Sequence, residues 1–325
     1  MHRKYCAMDG FDKTRQKPDN LKDEIFFRIS PNKQRGTCKS MIIDCRSIAD
    51  AFDAELVHAV GRLKDAGITP CMQEILATQV QGTHSYSNTK RLKAERLGVQ
   101  YGAIHFGHEV HIEEILSKIT ELNTDQKVHG VLIGMPVYSH IDSEKLIAAI
   151  DPLKDVDGLS PVNAYAIFSN NEHLGIAPAT AIAAIHILEK LLSLRGKEVA
   201  VIGRGRTVGR PLASMLTNRD ATVTICHSRT PTVILERIIR QSEIVITATG
   251  VPGVIQTDWF SRQQTVVDCG IAFTDGKTVG DVNALEVSER GAAVTPVPKG
   301  VGLVTNSMIF GNLLHAINLR RPNGT

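Results

Sequence analysis

The sequence predicts an α/β fold of two domains, in which helices cover parallel sheets. Short β-branched apolar segments alternate with amphipathic helical segments along most of the chain, a pattern typical of parallel strands joined by right-handed helical crossovers. A glycine-rich turn at residues 203–209 separates one of these strands from the next helix. A chain of 325 residues is long enough to bury two cores. We therefore expect an amino-terminal α/β domain and a second domain built around the glycine turn.

Composition and charge exclude several classes of protein. The chain is 42% hydrophobic and 22% charged, which is ordinary for a globular protein. Its net charge of +3 comes from the first 40 residues, which hold ten Lys and Arg against five Asp and Glu. The remainder has 27 basic and 29 acidic residues, so we expect no nucleic-acid partner. Since no long apolar run occurs, we expect no membrane span and no membrane partner.

Cysteine and histidine usage argues against disulfides and metal sites. The six cysteines are scattered and form no Cys-x-x-Cys pair, which indicates reduced thiols and a cytoplasmic chain. His84, His105, His108 and His111 form no recognisable ligand pattern. We expect neither structural zinc nor any other bound metal.

Residues 1–40 are predicted to be a polar tail appended to the folded body. They carry Pro18 and Pro31 and a single short apolar patch at residues 25–29. Their five acidic residues argue against a transit peptide. A translation start placed too far upstream, with Met41 as the natural start, is a hypothesis that the amino-terminal sequence of the natural protein would test.

The first domain is predicted to begin at Met41. Ser47 and Asp50 have the spacing of a capping box, and Ile48, Phe52 and the apolar residues after them fall on one helical face. Residues 151–178 are rich in loops. Between the first helix and this loop-rich segment we predict strands at 74–80, 101–106 and 130–134 and helices at 85–97, 113–122 and 143–150.

The second domain is predicted to follow a long apolar helix at residues 181–194. Thr230 and Pro231 are expected to cap and open one of its helices, and a rigid Pro- and Gly-rich loop spans residues 294–302. A closing helix is expected at residues 305–319. The remaining predicted strands are one that ends near residue 202 and three at 221–226, 243–249 and 264–269. One predicted helix begins at residue 209, and the helix that Pro231 opens ends at residue 240.

The glycine turn has the chemistry of a dinucleotide site in a Rossmann domain. Gly203 and Gly205 lack the Cβ atoms that would keep a pyrophosphate from the backbone, and Gly209 lets the next helix lie close to the strand. The free N–H groups at that helix start would face the phosphates. The spacing G-x-G-x-x-x-G is one residue longer than the usual fingerprint, so a glycine-rich turn without a ligand remains open on this motif alone.

The residues after the next strand favour NADP over NAD. An NAD site would place an acidic residue about 20 residues beyond the turn, but this chain has His227, Ser228 and Arg229 there. Arg204 and Arg206 lie in the glycine turn itself. Cationic and hydroxyl groups suit a 2′-phosphate, which a carboxylate would repel. The alternative is that these arginines are solvated loop charges.

Tyr86 and Lys90 are candidates for catalysis in the first domain. Their i, i+4 spacing places the phenol and the ammonium on one helical face, where a ring can stack on a flat substrate beside a proton-transferring amine. Arg91, Lys93 and Arg96 are close in sequence, so a solvated basic face is the alternative.

Asp155 and Asp157 are candidates for substrate binding in the loop-rich segment. They lie in Lys154-Asp-Val-Asp-Gly158, and a carboxylate in a loop after a strand can pair with a cyclic amidine such as a pterin edge. Aspartates also cap turns by accepting backbone N–H bonds. We expect that simpler role for one of the two.

Several of these motifs together resemble one enzyme family. In chain order, the motifs are Tyr86-x-x-x-Lys90, Lys154-Asp-Val-Asp-Gly158, Gly203-Arg204 with Val208-Gly209-Arg210-Pro211, Cys226-His-Ser-Arg-Thr230, and Thr295-Pro-Val-Pro298 with Gly300-Val-Gly302. As a set they resemble the bifunctional methylenetetrahydrofolate dehydrogenase/methenyltetrahydrofolate cyclohydrolase family, from about residue 41 to the end.

The resemblance implies a fold, a reaction and a set of roles. It implies a catalytic, folate-binding domain at residues 41–180 and 304–325, a Rossmann domain at 181–303, a last helix that returns to the first domain, and a homodimer formed through the cofactor domains. It implies oxidation of 5,10-methylenetetrahydrofolate with NADP, then hydration to 10-formyltetrahydrofolate, in one-carbon metabolism and purine biosynthesis. Lys90 matches the catalytic lysine, Tyr86 the stacking tyrosine and Asp157 the pterin-binding aspartate. The other residues implied to bind substrate are Pro136, Gly300 and Val301, and those implied to bind cofactor are Gly203, Arg204, Gly205, Val208, Gly209, His227, Ser228, Arg229, Thr249 and Gly250.

The chain departs from the family pattern mainly on the substrate side. Gly134 stands where the resemblance implies a glutamine that orients and polarises the lysine. Ala179-Thr-Ala-Ile-Ala183 replaces most of a Cys-Thr-Pro-x-Gly motif, and Lys299, Leu303, Gly205 and Thr83 are further departures. We expect hydride transfer to survive and hydrolysis to be weakened, unless Lys299 or His84 replaces the missing group. Two alternatives are an NADP dehydrogenase acting on another substrate and a catalytically silent paralogue that binds cofactor or a partner.

Overall fold

The computed structural model describes residues 41–274 and 276–321, so the predicted tail at 1–40 lies outside the described residues. The helices of the first part of the chain are α1 (Cys45–Asp65), α2 (Gln81–Leu97), α3 (Ile112–Thr124), α4 (Ser143–Ala149), α5 (Pro161–Phe168) and α6 (Ala179–Leu191), and the strands are β1 (Cys71–Leu76), β2 (Gln100–His105) and β3 (Gly130–Ile133). These three strands form a parallel sheet in the order β2-β1-β3. In the central strand β1, Glu74 lies opposite Ala103 on one side and Leu132 on the other.

The second sheet contains five parallel strands and carries a small hairpin. Its order is β10-β7-β6-β4-β5, and β8 and β9 form a separate antiparallel pair. The strands are β4 (Glu198–Ile202), β5 (Thr222–Cys226), β6 (Ile244–Thr247), β7 (Thr265–Asp268), β8 (Ala272–Thr274), β9 (Lys277–Val279) and β10 (Ala293–Val294), and the helices are α7 (Gly209–Thr217), α8 (Thr232–Gln241), α9 (Ala284–Glu289) and α10 (Val301–Arg320). The predicted α/β class, with parallel sheets in both parts, is confirmed.

The last helix returns to the first domain, as predicted. Helix α10 packs against α1 and α6, and Phe310 and Leu313 are buried in the core that these helices share. The Asn312 amide donates to the carbonyl oxygens of Val156 and Ala177, each at 2.8 Å, so the helix is also tied to the substrate-side loops. Burying a polar amide is favourable only with such partners. Helix α10 begins at Val301, four residues before the predicted start, because Gly300 already serves as its N-cap.

Several element boundaries differ from the sequence-based expectations. Strand β1 spans residues 71–76 rather than 74–80, because its two partner strands end opposite Ile75 and Leu76. Helix α2 accordingly begins at Gln81. The cap of α1 is Asp44, whose carboxylate accepts from the Ser47 backbone at 3.1 Å, so the proposed capping box of Ser47 and Asp50 is wrong.

Short elements were missed where the sequence is rich in turn residues. Helix α5 lies inside the segment read as loop, opened by Ser160 as its N-cap and Pro161 in its first turn. The β8–β9 hairpin, α9 and β10 were also not predicted, since segments of two to six residues carry little periodicity. Thr230 and Pro231 precede α8, with Pro231 as the N-cap. Within the described ranges no helix has the length and apolar character needed to cross a membrane.

Candidate active site

Lys90 is buried in the first domain rather than solvated. Its side chain is 2% exposed, and its ammonium Nζ lies 3.0 Å from Glu74 Oε1 and 4.0 Å from the centroid of the Tyr86 ring. Arg91 and Arg96 are exposed on the other side of α2. The alternative of a solvated basic face is therefore wrong for Lys90, because a buried ammonium requires charged or aromatic partners and has both here.

Glu74 is a member of this cluster that sequence reasoning missed. It lies in the middle of β1 with 0% exposure, and its second carboxylate oxygen accepts from the Tyr101 hydroxyl of the neighbouring strand β2. Tyr101 in turn contacts the Ser87 hydroxyl at 2.8 Å. A signal was available, because a glutamate within an otherwise buried strand needs a cationic partner. The sequence did not show which lysine would supply it.

The two aspartates of the 151–160 loop have different roles. The Asp155 carboxylate accepts from the Ser160 backbone N–H at 2.6 Å and from the Asn163 amide at 3.2 Å, which fixes the turn into α5. The expectation that one of the pair caps a turn is thus confirmed. Asp157 is half-buried and is close to Lys90 and Tyr86. Among the described residues no donor binds its carboxylate, so it is available to a ligand.

Burial governs the ionisation of the cluster. Burial lowers the pKa of Lys90, and the negative charges of Glu74 and Asp157 oppose that shift. Burial, with the charge of Asp155, raises the pKa of Asp157 to about 7. Desolvation of the Tyr86 phenol, with the negative charges of Asp157 and Glu74, raises its pKa although part of the side chain is exposed, so its hydroxyl stays neutral at physiological pH. The cluster therefore combines an amine, a carboxylic acid near neutrality and an aromatic face.

The remaining substrate-side candidates lie in two places, the loop after β3 and the start of α10. Pro136 is exposed just after β3, where the Thr83 hydroxyl donates to the Met135 carbonyl at 3.0 Å and ties α2 to this loop. A Cβ on Gly300 would collide with the Pro296 carbonyl, so the loop requires glycine there. Val301 is 3% exposed, with its side chain in the core below α10. Their roles in binding substrate stay predictions.

The structure also shows the surroundings of Lys299 and His84, which are the possible replacements for the missing glutamine. Lys299 is exposed and has a φ of +73°, a left-handed conformation that favours glycine. His84 Nε2 contacts the Thr78 carbonyl at 3.1 Å, and its ring stacks on that of His105. Within the part of the chain that the structure describes, neither residue makes a hydrogen bond or an ion pair with Lys90.

The glycine turn of the second domain fits a pyrophosphate. Gly203 has a φ of +127°, and a Cβ there would meet the Ala248 carbonyl. A Cβ on Gly209 would meet the Gly203 carbonyl, so the start of α7 lies against the turn. Gly205 has no atom within 4 Å of the position of a Cβ, which leaves open space at the helix N-terminus. The backbone is thus shaped for a phosphate group that approaches closely.

The predicted nucleotide-binding side chains follow neighbouring parallel strands. Arg204 follows β4, and Ser228 and Arg229 follow β5; all three are exposed, and neither guanidinium pairs with a carboxylate of the described residues. His227 accepts the Arg229 backbone N–H at 3.2 Å, which shapes this turn. The other predicted residues are Val208, half-buried before α7, and Thr249 and Gly250, which follow β6.

Arg206 is engaged with residues of the first domain. Its guanidinium pairs with Glu144 of the first domain and donates to the Leu159 carbonyl at 3.0 Å. The expectation that Arg206 contributes to a 2′-phosphate site does not match this structure, because its guanidinium is engaged with Glu144 and Leu159. It instead links the glycine turn to the first domain. No cluster suited to a metal ion occurs in residues 41–274 and 276–321.

Comparison with known proteins agrees with this geometry. Two family models match: tetrahydrofolate dehydrogenase/cyclohydrolase, catalytic domain, over residues 43–157, and tetrahydrofolate dehydrogenase/cyclohydrolase, NAD(P)-binding domain, over residues 178–321. The bifunctional protein FolD of Macrococcus caseolyticus is 37% identical over 276 residues, 85% of this chain and 96% of that protein. FolD of Thermotoga petrophila is 38% identical over 283 residues, 86% of this chain and 100% of that protein.

A solved structure agrees as well. The methylenetetrahydrofolate dehydrogenase-cyclohydrolase of Trypanosoma brucei, complexed with NADP and an inhibitor, superposes with a TM-score of 0.81 at 33% identity. The superposition covers 87% of this chain and 98% of that protein. The chain therefore belongs to the tetrahydrofolate dehydrogenase/cyclohydrolase family.

Proposed function

We propose that this protein oxidises 5,10-methylenetetrahydrofolate to 5,10-methenyltetrahydrofolate with NADP, and that it hydrolyses the product to 10-formyltetrahydrofolate only weakly. The observation that carries the proposal is the cluster of Lys90, Tyr86 and Asp157, in which each side chain has an environment that suits its proposed role. Its alternatives are another substrate on the same scaffold and a silent paralogue.

The residues of the cluster act mainly by binding and orientation. Tyr86, 38% exposed, offers a ring face on which a pterin stacks. The Asp157 carboxyl group, with its pKa near neutrality, pairs with the amidine edge of the pterin. Lys90 lies against the same ring, so its side chain would face the reacting carbon of a pterin stacked there. When bound, NADP supplies the hydride acceptor, and the protein holds the donor carbon close to it.

Weak hydrolysis follows from the surroundings of Lys90. Attack by water on the methenyl carbon requires a group that accepts the proton of the water. Gly134 supplies no side chain that would polarise the lysine, and Glu74 binds the ammonium at 3.0 Å instead. His84 is engaged with Thr78, and Lys299 is exposed on its loop. None of these contacts provides a proton acceptor for water, and in this proposal the Asp157 carboxyl group is occupied by the pterin edge.

NADP is the proposed cofactor rather than NAD. The side chains that follow β5 are Ser228 and Arg229, and no acidic residue stands there. Arg204 lies in the facing glycine turn and is exposed. Two guanidinium groups without a carboxylate partner among the described residues, together with a hydroxyl, suit a 2′-phosphate, because charge-assisted hydrogen bonds to phosphate are strong.

We further propose a cytoplasmic homodimer that provides one-carbon units for purine biosynthesis. The free thiols Cys45, Cys71, Cys226 and Cys269 are consistent with a reducing compartment. Strand β5 forms the edge of its sheet and exposes Ile225, which offers an edge for pairing between second domains. Light scattering on a size-exclusion column measures the mass, and a monomeric mass rejects the dimer.

Ligand-induced thermal stabilisation tests the proposed function and its alternatives. We expect NADP and tetrahydrofolate each to raise the melting temperature, since each binds only the folded state. Stabilisation by NADP without tetrahydrofolate would favour another substrate. Stabilisation by both without NADPH formation from 5,10-methylenetetrahydrofolate would favour the silent paralogue.

A further inference from the structure

The ammonium of Lys90 lies between two carboxylates of unequal burial. Glu74 reaches it from β1, 3.0 Å away and fully buried, whereas half-buried Asp157 approaches from the 151–160 loop. The Tyr86 ring covers the nitrogen from its own helix. Lys93, nearly one turn further along α2, is engaged elsewhere, with Asp53 at 2.7 Å and Ser307 at 2.6 Å. Glu74 is therefore the permanent counter-ion of Lys90, and Asp157 is the one that a substrate can engage.

Glu74 is itself held in place from β2. The Tyr101 hydroxyl donates to Oε2, the oxygen that does not face Lys90, and the Ser87 hydroxyl contacts Tyr101 at 2.8 Å. Burial and the nearby Glu74 charge raise the pKa of Tyr101, so its hydroxyl remains a donor. The carboxylate cannot turn away from Lys90 without losing this hydrogen bond.

The bare backbone of Gly134 makes room for this arrangement. A Cβ at Gly134 would lie 3.3 Å from Glu74 Oε1 and would meet the end of the Leu76 side chain. A long side chain at position 134 and Glu74 in its present position would thus compete for the same space beside Lys90. The two positions are adjacent across the sheet, since Glu74 lies opposite Leu132 of β3.

We propose that Glu74 is the positioning residue of this site, which holds Lys90 as an ammonium ion and so withholds the neutral amine from the hydrolytic step. This inference rests on the proposed function. Oxidation needs no proton acceptor, because the hydride leaves with its electron pair and the methenyl cation remains. Hydrolysis does need one, because the water oxygen bonds to the methenyl carbon and one water proton goes to a base. The bond from that carbon to N5 then breaks with its electron pair on N5, and N5 takes up the remaining hydroxyl proton as the formyl carbonyl forms. An ammonium ion cannot accept that proton.

A direct titration of Lys90 tests the proposal without any turnover. Lysines labelled with ¹³C at Cε are followed by NMR in the full chain, and the Lys90 signal is assigned by its loss in Lys90→Gln. We expect Lys90 to lose its proton at least about one pH unit lower in Glu74→Gln than in the wild type, since an opposite charge at this distance shifts a pKa by that much. Tyr101→Phe keeps the carboxylate and should shift the titration far less.

Two titration results would overturn the proposal. One is a Lys90 titration in Glu74→Gln at the wild-type pH or above it, and the other is a Tyr101→Phe shift as large as that of Glu74→Gln. Glu74→Asp provides a second variant if the glutamine variant does not fold. Its shorter carboxylate lies further from the ammonium, so we expect a smaller shift in the same direction.

Hydrolysis assayed alone, on methenyltetrahydrofolate without NADP, gives the functional readout. Glu74→Gln should raise the rate near neutral pH by about 10-fold, with the rise of the pH profile moved to lower pH and KM little changed. The same substitution in a Lys90→Gln background should have no effect on the profile, because Glu74 acts through Lys90. An equal effect in both backgrounds would contradict the proposal. Absence of NADPH formation by the wild type would instead count against the proposed function.

Discussion

The cofactor turn and the Lys90 cluster differ in what they are made from. The turn consists of backbone, and its glycines at 203 and 209 are required by carbonyl groups that a Cβ would meet. The cluster consists of side chains from β1, β2, α2 and the 151–160 loop. A backbone site is encoded in one short stretch of sequence, whereas a side-chain site is assembled by the fold. Substitutions can therefore change the chemistry of the Lys90 cluster while the cofactor turn remains intact.

The largest effect is expected at Lys90. Lys90→Gln keeps the size of the side chain but removes both amine and charge, so we expect residual hydrolysis to fall by about 10²-fold or more. NADPH formation should fall less, because oxidation depends mainly on orientation. Lys93→Gln is the matched control, since that lysine is bound to Asp53 and Ser307. Full hydrolytic turnover in Lys90→Gln would refute the assigned role.

A backbone substitution should affect the cofactor turn alone. Gly203→Ala places a Cβ against the Ala248 carbonyl at a φ of +127°, so we expect NADPH affinity to fall by about 10²-fold and the protein to lose stability. Gly205→Ala adds the same methyl group where no atom lies within 4 Å, so the fold should be unaffected. Fluorescence titration with NADPH and thermal melts separate the two. Equal melting temperatures for both variants would argue against the steric explanation.

A smaller effect is expected on cofactor preference. Arg229→Ala removes one of the proposed charges for the 2′-phosphate, so NADP affinity should fall about 10-fold while NAD affinity is unchanged. Arg206→Ala is the comparison variant, because that guanidinium pairs with Glu144 and the Leu159 carbonyl. Calorimetric titration of both cofactors measures the ratio. An unchanged NADP to NAD ratio in Arg229→Ala would remove this residue from the site.

The smallest effect is a pH-dependent change in stability at Asp157. Its pKa is raised from 3.8 to about 7, so the native state binds the proton more tightly, and stability is lost as the pH rises between those values. The free energy of unfolding of Asp157→Asn should therefore rise by about 1–2 kcal/mol relative to the wild type as the pH passes through this window. Above the window the difference should stay constant. The figure is reduced because the side chain is partly exposed. Thermal melts against pH measure the gain, with the exposed Asp65→Asn as control. A constant difference at all pH values would contradict the assignment.

The sequence predicted the features that depend on local pattern. The strand and helix alternation, the glycine turn and the amphipathic face of α1 are all properties of short segments, and each is found in the structure. The sequence did not reveal that Glu74 is the partner of Lys90, because their pairing depends on how α2 packs against the first sheet. For the same reason it assigned Arg206 to the nucleotide, although Glu144 of the other domain takes its charge. The boundary of β1 was misplaced since partner strands decide where pairing ends.

The most direct test mixes the purified protein with 5,10-methylenetetrahydrofolate and NADP and follows NADPH and the methenyl product separately by absorbance. We expect NADPH to form and the methenyl product to accumulate, because Lys90 is held by Glu74. Its level should approach that of a control in which only non-enzymatic hydration removes the methenyl product. NADPH formation without that accumulation would show that another group performs hydrolysis. No NADPH formation at all would contradict the central claim that this cluster is a folate oxidation site.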